Sequence, residues 1–145
     1  MKPRNIILFS GWALFITSFF LPAVSDGGPI PGWFAAWVSL TIFDDIFSAD
    51  LLFGVYVFSF TPCNILMLLS PIIVFRIKMK KYLHWYRISM SAVTLLVGSW
   101  YFYCIWENTI GLCIGYYLWF LSFLLVTISL FMRRPPKIIY VNKVD

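Results

Sequence analysis

Charge is what this chain has least of. Only 12% of its 145 residues are Asp, Glu, Lys or Arg, against roughly 25% in a soluble domain of this size. With 61% of residues apolar and 21% aromatic, too little polar surface remains to coat a water-exposed globule. Four stretches carry no charge at all: Ile6–Val24 (19 residues), Leu51–Phe75 (25), Ile88–Trp106 (19) and Asn108–Met132 (25). A helix rises 1.5 Å per residue, so ~20 residues cross a ~30 Å hydrocarbon core. These runs do not alternate in polarity as membrane strands do. Helices satisfy their own backbone hydrogen bonds in lipid. The fold class expected is therefore an all-α membrane protein, a single domain over 1–145. It is an antiparallel bundle of four transmembrane helices, with spans near 6–24, 51–75, 88–106 and 108–132.

Other absences narrow the chemistry. The single histidine, His84, has no cysteine or carboxylate at ligand spacing, so no metal site is expected. The three cysteines form no Cys-x-x-Cys pair, the motif a quinone-linked oxidoreductase would want. No charged residue lies inside a span, where one usually marks a transport path or proton relay. Small multidrug transporters of similar length depend on a carboxylate in their first span. Here that span offers only Ser10, Gly11, Thr17 and Ser18. Intramembrane proteolysis needs a Ser/His or Asp/Asp pair at depth, and there is none. Asp26, Asp44, Asp45, Asp50 and Glu107 stand without a base or nucleophile and read as a solvated face. No enzyme activity and no cofactor are expected.

The charges that remain are sorted. All eleven Lys and Arg fall at Lys2 and Arg4, at Arg76, Lys78, Lys80, Lys81 and Arg87, and at Arg133, Arg134, Lys137 and Lys143. Five of the six acids fall in the other two connections, and only Asp145 sits with the bases. With four spans the basic places share one side, which the positive-inside rule makes cytoplasmic. Both termini, the basic loop 76–87 and the tail 133–145 are then inside. The net charge of +5 is thereby explained by topology, and no nucleic-acid partner is expected. Arg76, Lys78, Lys80, Lys81 and Arg87, interleaved with Tyr82, Trp85 and Tyr86, read as an orienting segment that meets lipid headgroups.

Ala23-Val24-Ser25 resembles a signal-peptide cleavage site, but the run before it exceeds the usual ~7–15 apolar residues. It is expected to be retained as the first span, closed by Pro22. The outer connection 25–50 opens on Asp26-Gly27-Gly28-Pro29-Ile30-Pro31-Gly32, which cannot propagate a helix. Over Trp33–Phe47, Thr41, Asp44, Asp45 and Ser48 recur at helical spacing, with Ala36, Trp37, Leu40, Phe43 and Phe47 roughly opposite. That pattern predicts a short amphipathic outer helix, either lying on the leaflet with Trp33 and Trp37 as anchors or closing the bundle as a lid.

Within the second span, Thr61-Pro62-Cys63-Asn64 sits near the midplane. Pro62 lacks an N–H, so a kink is expected. The neighbouring polar groups would either form a small intramembrane ligand site or be satisfied by adjacent helices. Gly111 and Gly115 make a Gly-x-x-x-Gly motif, expected to mark close packing on the third span. Cys104 and Cys113 fall about one turn inside the outer ends of the last two spans. They would pair in a disulfide or remain buried thiols. The segment Ile138–Val141 would add a strand to a partner or stay disordered.

Leu21-Pro22-Ala23, Pro31-Gly32-Trp33 and Gly115-Tyr116-Tyr117-Leu118-Trp119-Phe120-Leu121-Ser122 resemble segments of the small, functionally uncharacterised four-helix integral membrane proteins of bacteria. The resemblance implies a multi-pass protein of the bacterial cytoplasmic (inner) membrane and brings no activity. The both-ends-inside plan is also similar to that of immunity proteins against pore-forming bacteriocins, in topology alone. Three functions follow as expectations: a non-catalytic accessory or interaction subunit, an immunity-type protein, or a small transporter using the Pro62 region. The partners expected are membrane lipids and another membrane protein or a second copy.

Overall fold

The computed structural model describes residues 3–25, 27–41, 51–76, 80–107 and 111–132. Its elements in chain order are α1 (Pro3–Phe20), β1 (Pro22–Ser25), β2 (Pro29–Pro31), α2 (Gly32–Thr41), α3 (Leu51–Arg76), α4 (Lys80–Glu107), β3 (Gly111–Leu112) and α5 (Ile114–Phe131). Three of the helices are long and apolar enough to cross a membrane, over Gly54–Val74, Tyr82–Trp106 and Ile114–Phe131. The 18-residue α1 matches α5 in length. It opens on Pro3-Arg4-Asn5, which lowers its mean hydropathy.

Each long helix buries a narrow stripe. On α1 it runs Leu8, Gly11, Phe15, Ser18, and on α4 Leu83, Tyr86, Met90, Val97, Trp100, Cys104. Steps of three and four residues are the seam of left-handed helix packing. Outside the stripes the surface is apolar: Phe20, Leu68, Leu95, Phe102, Ile105 and Trp106 are all exposed. Inside, by contrast, lie Ser18, Ser70, Thr94, Ser122 and Ser129. In water this distribution would leave large apolar surface unburied. In lipid it is the expected one, because tails solvate the outer face and small polar residues let helices approach and bond. Among the described residues no buried side-chain nitrogen or oxygen lacks a partner.

The hydrogen bonds between helices fix their directions. Arg87 at the start of α4 bonds Leu130 at the end of α5. Thr94 meets Thr127 at 3.0 Å between them, so this pair is antiparallel. Tyr56 on α3 meets Ser99 on α4 at 3.1 Å, and Tyr86 donates to the Leu66 carbonyl at 3.0 Å, which is again antiparallel. Trp12 on α1 donates its indole N–H to Ser70 on α3 at 2.6 Å. The helices α1 and α5 make the most extensive contact, with Gly11 against Val126 and the Ser122 carbonyl.

Four expectations are corrected here. The molecule is not purely helical, because β2, β1 and β3 form a three-stranded antiparallel sheet with β1 in the middle. Val24 pairs with both Ile30 and Leu112, joining the segment after α1 to the segment before α5. Proline cannot donate to a ladder. Pro29 and Pro31 lie in the edge strand β2, and Pro22 opens β1 beside a register shift. Gly27, at φ 66°, turns the hairpin in a conformation that side chains disfavour. Second, the first span stops at Phe20 and does not reach residue 24, because Leu21 precedes Pro22 and is pushed out of helical geometry. Third, the last helix begins at Ile114 and not near 108, since Gly111-Leu112 is spent on β3. Fourth, residues 80–87 are not loop: they form the first two turns of α4.

The helix expected over Trp33–Phe47 is described as far as Thr41. Only ten residues long, α2 turns its small side inward, and Ser39 is 4% exposed. Trp33, Phe34, Trp37 and Leu40 point outward. Thr41 is exposed with them, while Phe43, Asp44, Asp45, Phe47 and Ser48 lie outside the described residues.

Candidate functional site

The Thr61-Pro62-Cys63-Asn64 stretch lies within α3, which runs on through Pro62 and Pro71. Neighbouring residues of a helix diverge by about 100°, and the four separate accordingly. Thr61 lies against α2, donating to the Ser39 carbonyl at 3.3 Å and meeting the Ser39 hydroxyl at the same distance. Cys63 is buried beside Met67 in the main core. Pro62 is exposed. Asn64 accepts the indole N–H of Trp119 at 2.9 Å. The expected single polar pocket is therefore not assembled. Three of its members are used in three different directions.

Of the four, Asn64 lines a cavity. It encloses about 60 Å³ beneath the strand cap, where the end of α1, the sheet, α2 and the upper parts of α3, α4 and α5 converge. Its walls are almost entirely apolar, with Phe60, Trp100, Tyr116 and Trp119 on one side and Phe19, Ala35 and Ala36 among the others. The aromatic side is closely packed. Phe60 meets Trp100 and Trp119 edge-on, with ring centroids 5.4 and 5.3 Å apart. Such pairs contribute about 0.5–1.5 kcal/mol beyond area burial. The Tyr116 hydroxyl donates to the Val97 carbonyl at 2.5 Å, and the Ser18 hydroxyl to the Phe15 carbonyl at 2.6 Å. Their donors are thus committed.

Two glycines clamp the cap onto the helix ends. A Cβ on Gly115 would lie 2.6 Å from the Pro22 carbonyl oxygen and 2.8 Å from that of Leu21. One on Gly32 would overlap the Ser18 carbonyl. The Gly32 N–H donates to the Leu21 carbonyl at 3.0 Å, and the Cys113 N–H to that of Ala23 at 2.9 Å. The Gly-x-x-x-Gly expectation is corrected by this arrangement. Gly111 is a strand residue beside Ser25, and Gly115 packs on the backbone after α1, so the close approach at Gly115 is to the strand cap. The spacing that does mark close packing is seven. Gly115, Ser122 and Ser129 on α5, and Gly11 and Ser18 on α1, are all buried.

The remaining site residues are placed as follows. Cys63, Cys104 and Cys113 are free, so the candidate Cys104–Cys113 disulfide is not formed. Cys104 is packed with Trp100 and Tyr116, and Cys113 immediately precedes α5. Arg76 ends α3, Lys80 and Lys81 open α4, and Lys78 lies outside the described residues. Arg87 departs from a pure headgroup role. Its Nε donates to the Leu130 carbonyl at 3.0 Å, and its guanidinium sits 5.8 Å from the Phe131 ring centre. It caps the negative end of α5 and so ties the last two helices together. Residues 133–145, including the Ile138–Val141 segment, are outside the described part. Among the described residues no three His, Cys, Asp or Glu cluster as metal ligands.

No protein-family model, curated protein or solved structure matches the chain.

Proposed function

We propose that the chain is a four-span protein of the bacterial cytoplasmic membrane, with both termini inside. In this reading it acts without catalysis, as an accessory or interaction subunit that packs against another membrane protein or a second copy. Four spans are supported by the sorted charges and by the extensive antiparallel seating of α1 on α5. The observation that carries the interaction role is the orientation of α2. A ten-residue helix is too short to cross a membrane. Its polar Ser39 is used against Thr61, which leaves Trp33, Phe34, Trp37 and Leu40 displayed together at the outer end. Clustered aromatics are the residues that most often anchor protein interfaces.

The test is isolation of the full chain from its native membrane in mild detergent, with the mass and composition of the complex determined. A second polypeptide or a second copy at fixed stoichiometry is expected. Trp33→Ala combined with Trp37→Ala should abolish it while leaving the unfolding midpoint within error. A lone monomer, or a complex indifferent to that double change, would contradict the proposal.

A further inference from the structure

We propose that the cavity beneath the strand cap binds the oxygen-bearing end of a slender aliphatic molecule (a ketone, aldehyde or fatty-acyl ester), with the Asn64 amide N–H donating to that oxygen.

The indole N–H of Trp119 can only donate. The Asn64 atom 2.9 Å from it must therefore be the carbonyl Oδ1. This bond orients the amide. The Nδ2 group is then left with two N–H donors, and neither finds an acceptor among the described residues. No fully buried side-chain nitrogen is unpartnered there. This one is accordingly open, on a residue that lines the cavity. In an apolar wall an amide donor without an acceptor is unfavourable, so an occupant with an acceptor is favoured over one without.

Size and polarity define that occupant. A cavity of ~150 Å³ accepts benzene, and about 60 Å³ suits the end of an aliphatic chain. Water would fit at ~10–15 Å³ each but needs two to four polar partners. Asn64 offers an open donor in these walls, while the Tyr116 and Ser18 hydroxyls donate elsewhere. A carbonyl oxygen with a methyl or methylene neighbour answers the amide and fills the apolar remainder.

The full chain, carrying isotope-labelled asparagine, would be placed in nanodiscs of ether-linked lipid, which lack ester carbonyls. The Asn64 amide signals, identified by their loss in Asn64→Leu, would be followed by NMR. A long-chain methyl ketone should shift them saturably, and the alkane of equal length should not. Ala36→Leu fills the cavity while keeping Asn64, and should remove the ketone response but retain the signals. Exchanging ether-linked for ester-linked lipid separates the sources. A shift on exchange makes the membrane lipid the occupant, and silence beside a ketone response points to a free aliphatic carbonyl. Signals that ignore the ketone, respond equally to the alkane, or show contact with water alone would overturn the proposal. None of these outcomes bears on the partner proposed for α2.

Discussion

Gly115→Ala should lower the stability of the protein by about 2 kcal/mol, while Gly111→Ala should leave it within ~0.5 kcal/mol. The Cβ added at 115 would meet two backbone carbonyl oxygens, of Pro22 and Leu21, at 2.6 and 2.8 Å. Those atoms cannot rotate away, because the Leu21 carbonyl is held by the Gly32 N–H. Overpacking of this kind costs up to about 3 kcal/mol, and replacing glycine near a helix start returns at most ~1 kcal/mol. At 111 the nearest atoms lie 3.5 and 3.7 Å away, ordinary contact distances, and such substitutions stay within about 0.5 kcal/mol. Unfolding by SDS titration from mild detergent measures both. Equal losses at the two positions would mean that Gly111 and Gly115 act together as a helix-packing motif, contrary to the arrangement described.

Phe123→Ala should cost about 2 kcal/mol in the same titration, and Phe102→Ala should cost almost nothing. Phe123 is 0% exposed, its ring 5.1 Å from Trp119 and 6.2 Å from Phe15. In a water-soluble core this truncation costs ~3–5 kcal/mol, part of it for transfer out of water and part for the cavity. Helices separated in a membrane already have lipid around such a ring. The transfer part cancels and only lost packing remains. Phe102 is 72% exposed and exchanges lipid for lipid on truncation. A loss at Phe102 as large as that at Phe123 would contradict a lipid-facing surface there.

Long helices were legible in the sequence because an uncharged run of this length has few other structures open to it in lipid. The strand cap was not. Its strands are four, three and two residues long, too short for an alternating signal, and rich in proline. It is built by pairing Val24 with Leu112 across most of the chain, which no local pattern reports. The pattern around α2 left two seatings open, on the leaflet with Trp33 and Trp37 as anchors or as a lid, and local spacing alone did not mark Ser39 as the residue turned inward. Arg87 was counted as one charge among five. Its bond to Leu130 exists only once α4 and α5 fold back on each other. At the candidate site, Asn64 stood out as a polar residue in an apolar run. Its partner Trp119 lies 55 residues away, and the cavity it lines is a product of the whole fold.

The most direct measurement is the side of the membrane on which each end of the chain lies. Green fluorescent protein, which fluoresces when made inside, and alkaline phosphatase, which is active only outside, would be fused in turn to both termini and inserted at Gly28. Four crossings require fluorescence at both termini and phosphatase activity at Gly28. Termini on opposite sides would contradict the four-span account. They would mean that only the three most apolar helices cross and that α1 lies against α5 without spanning the bilayer.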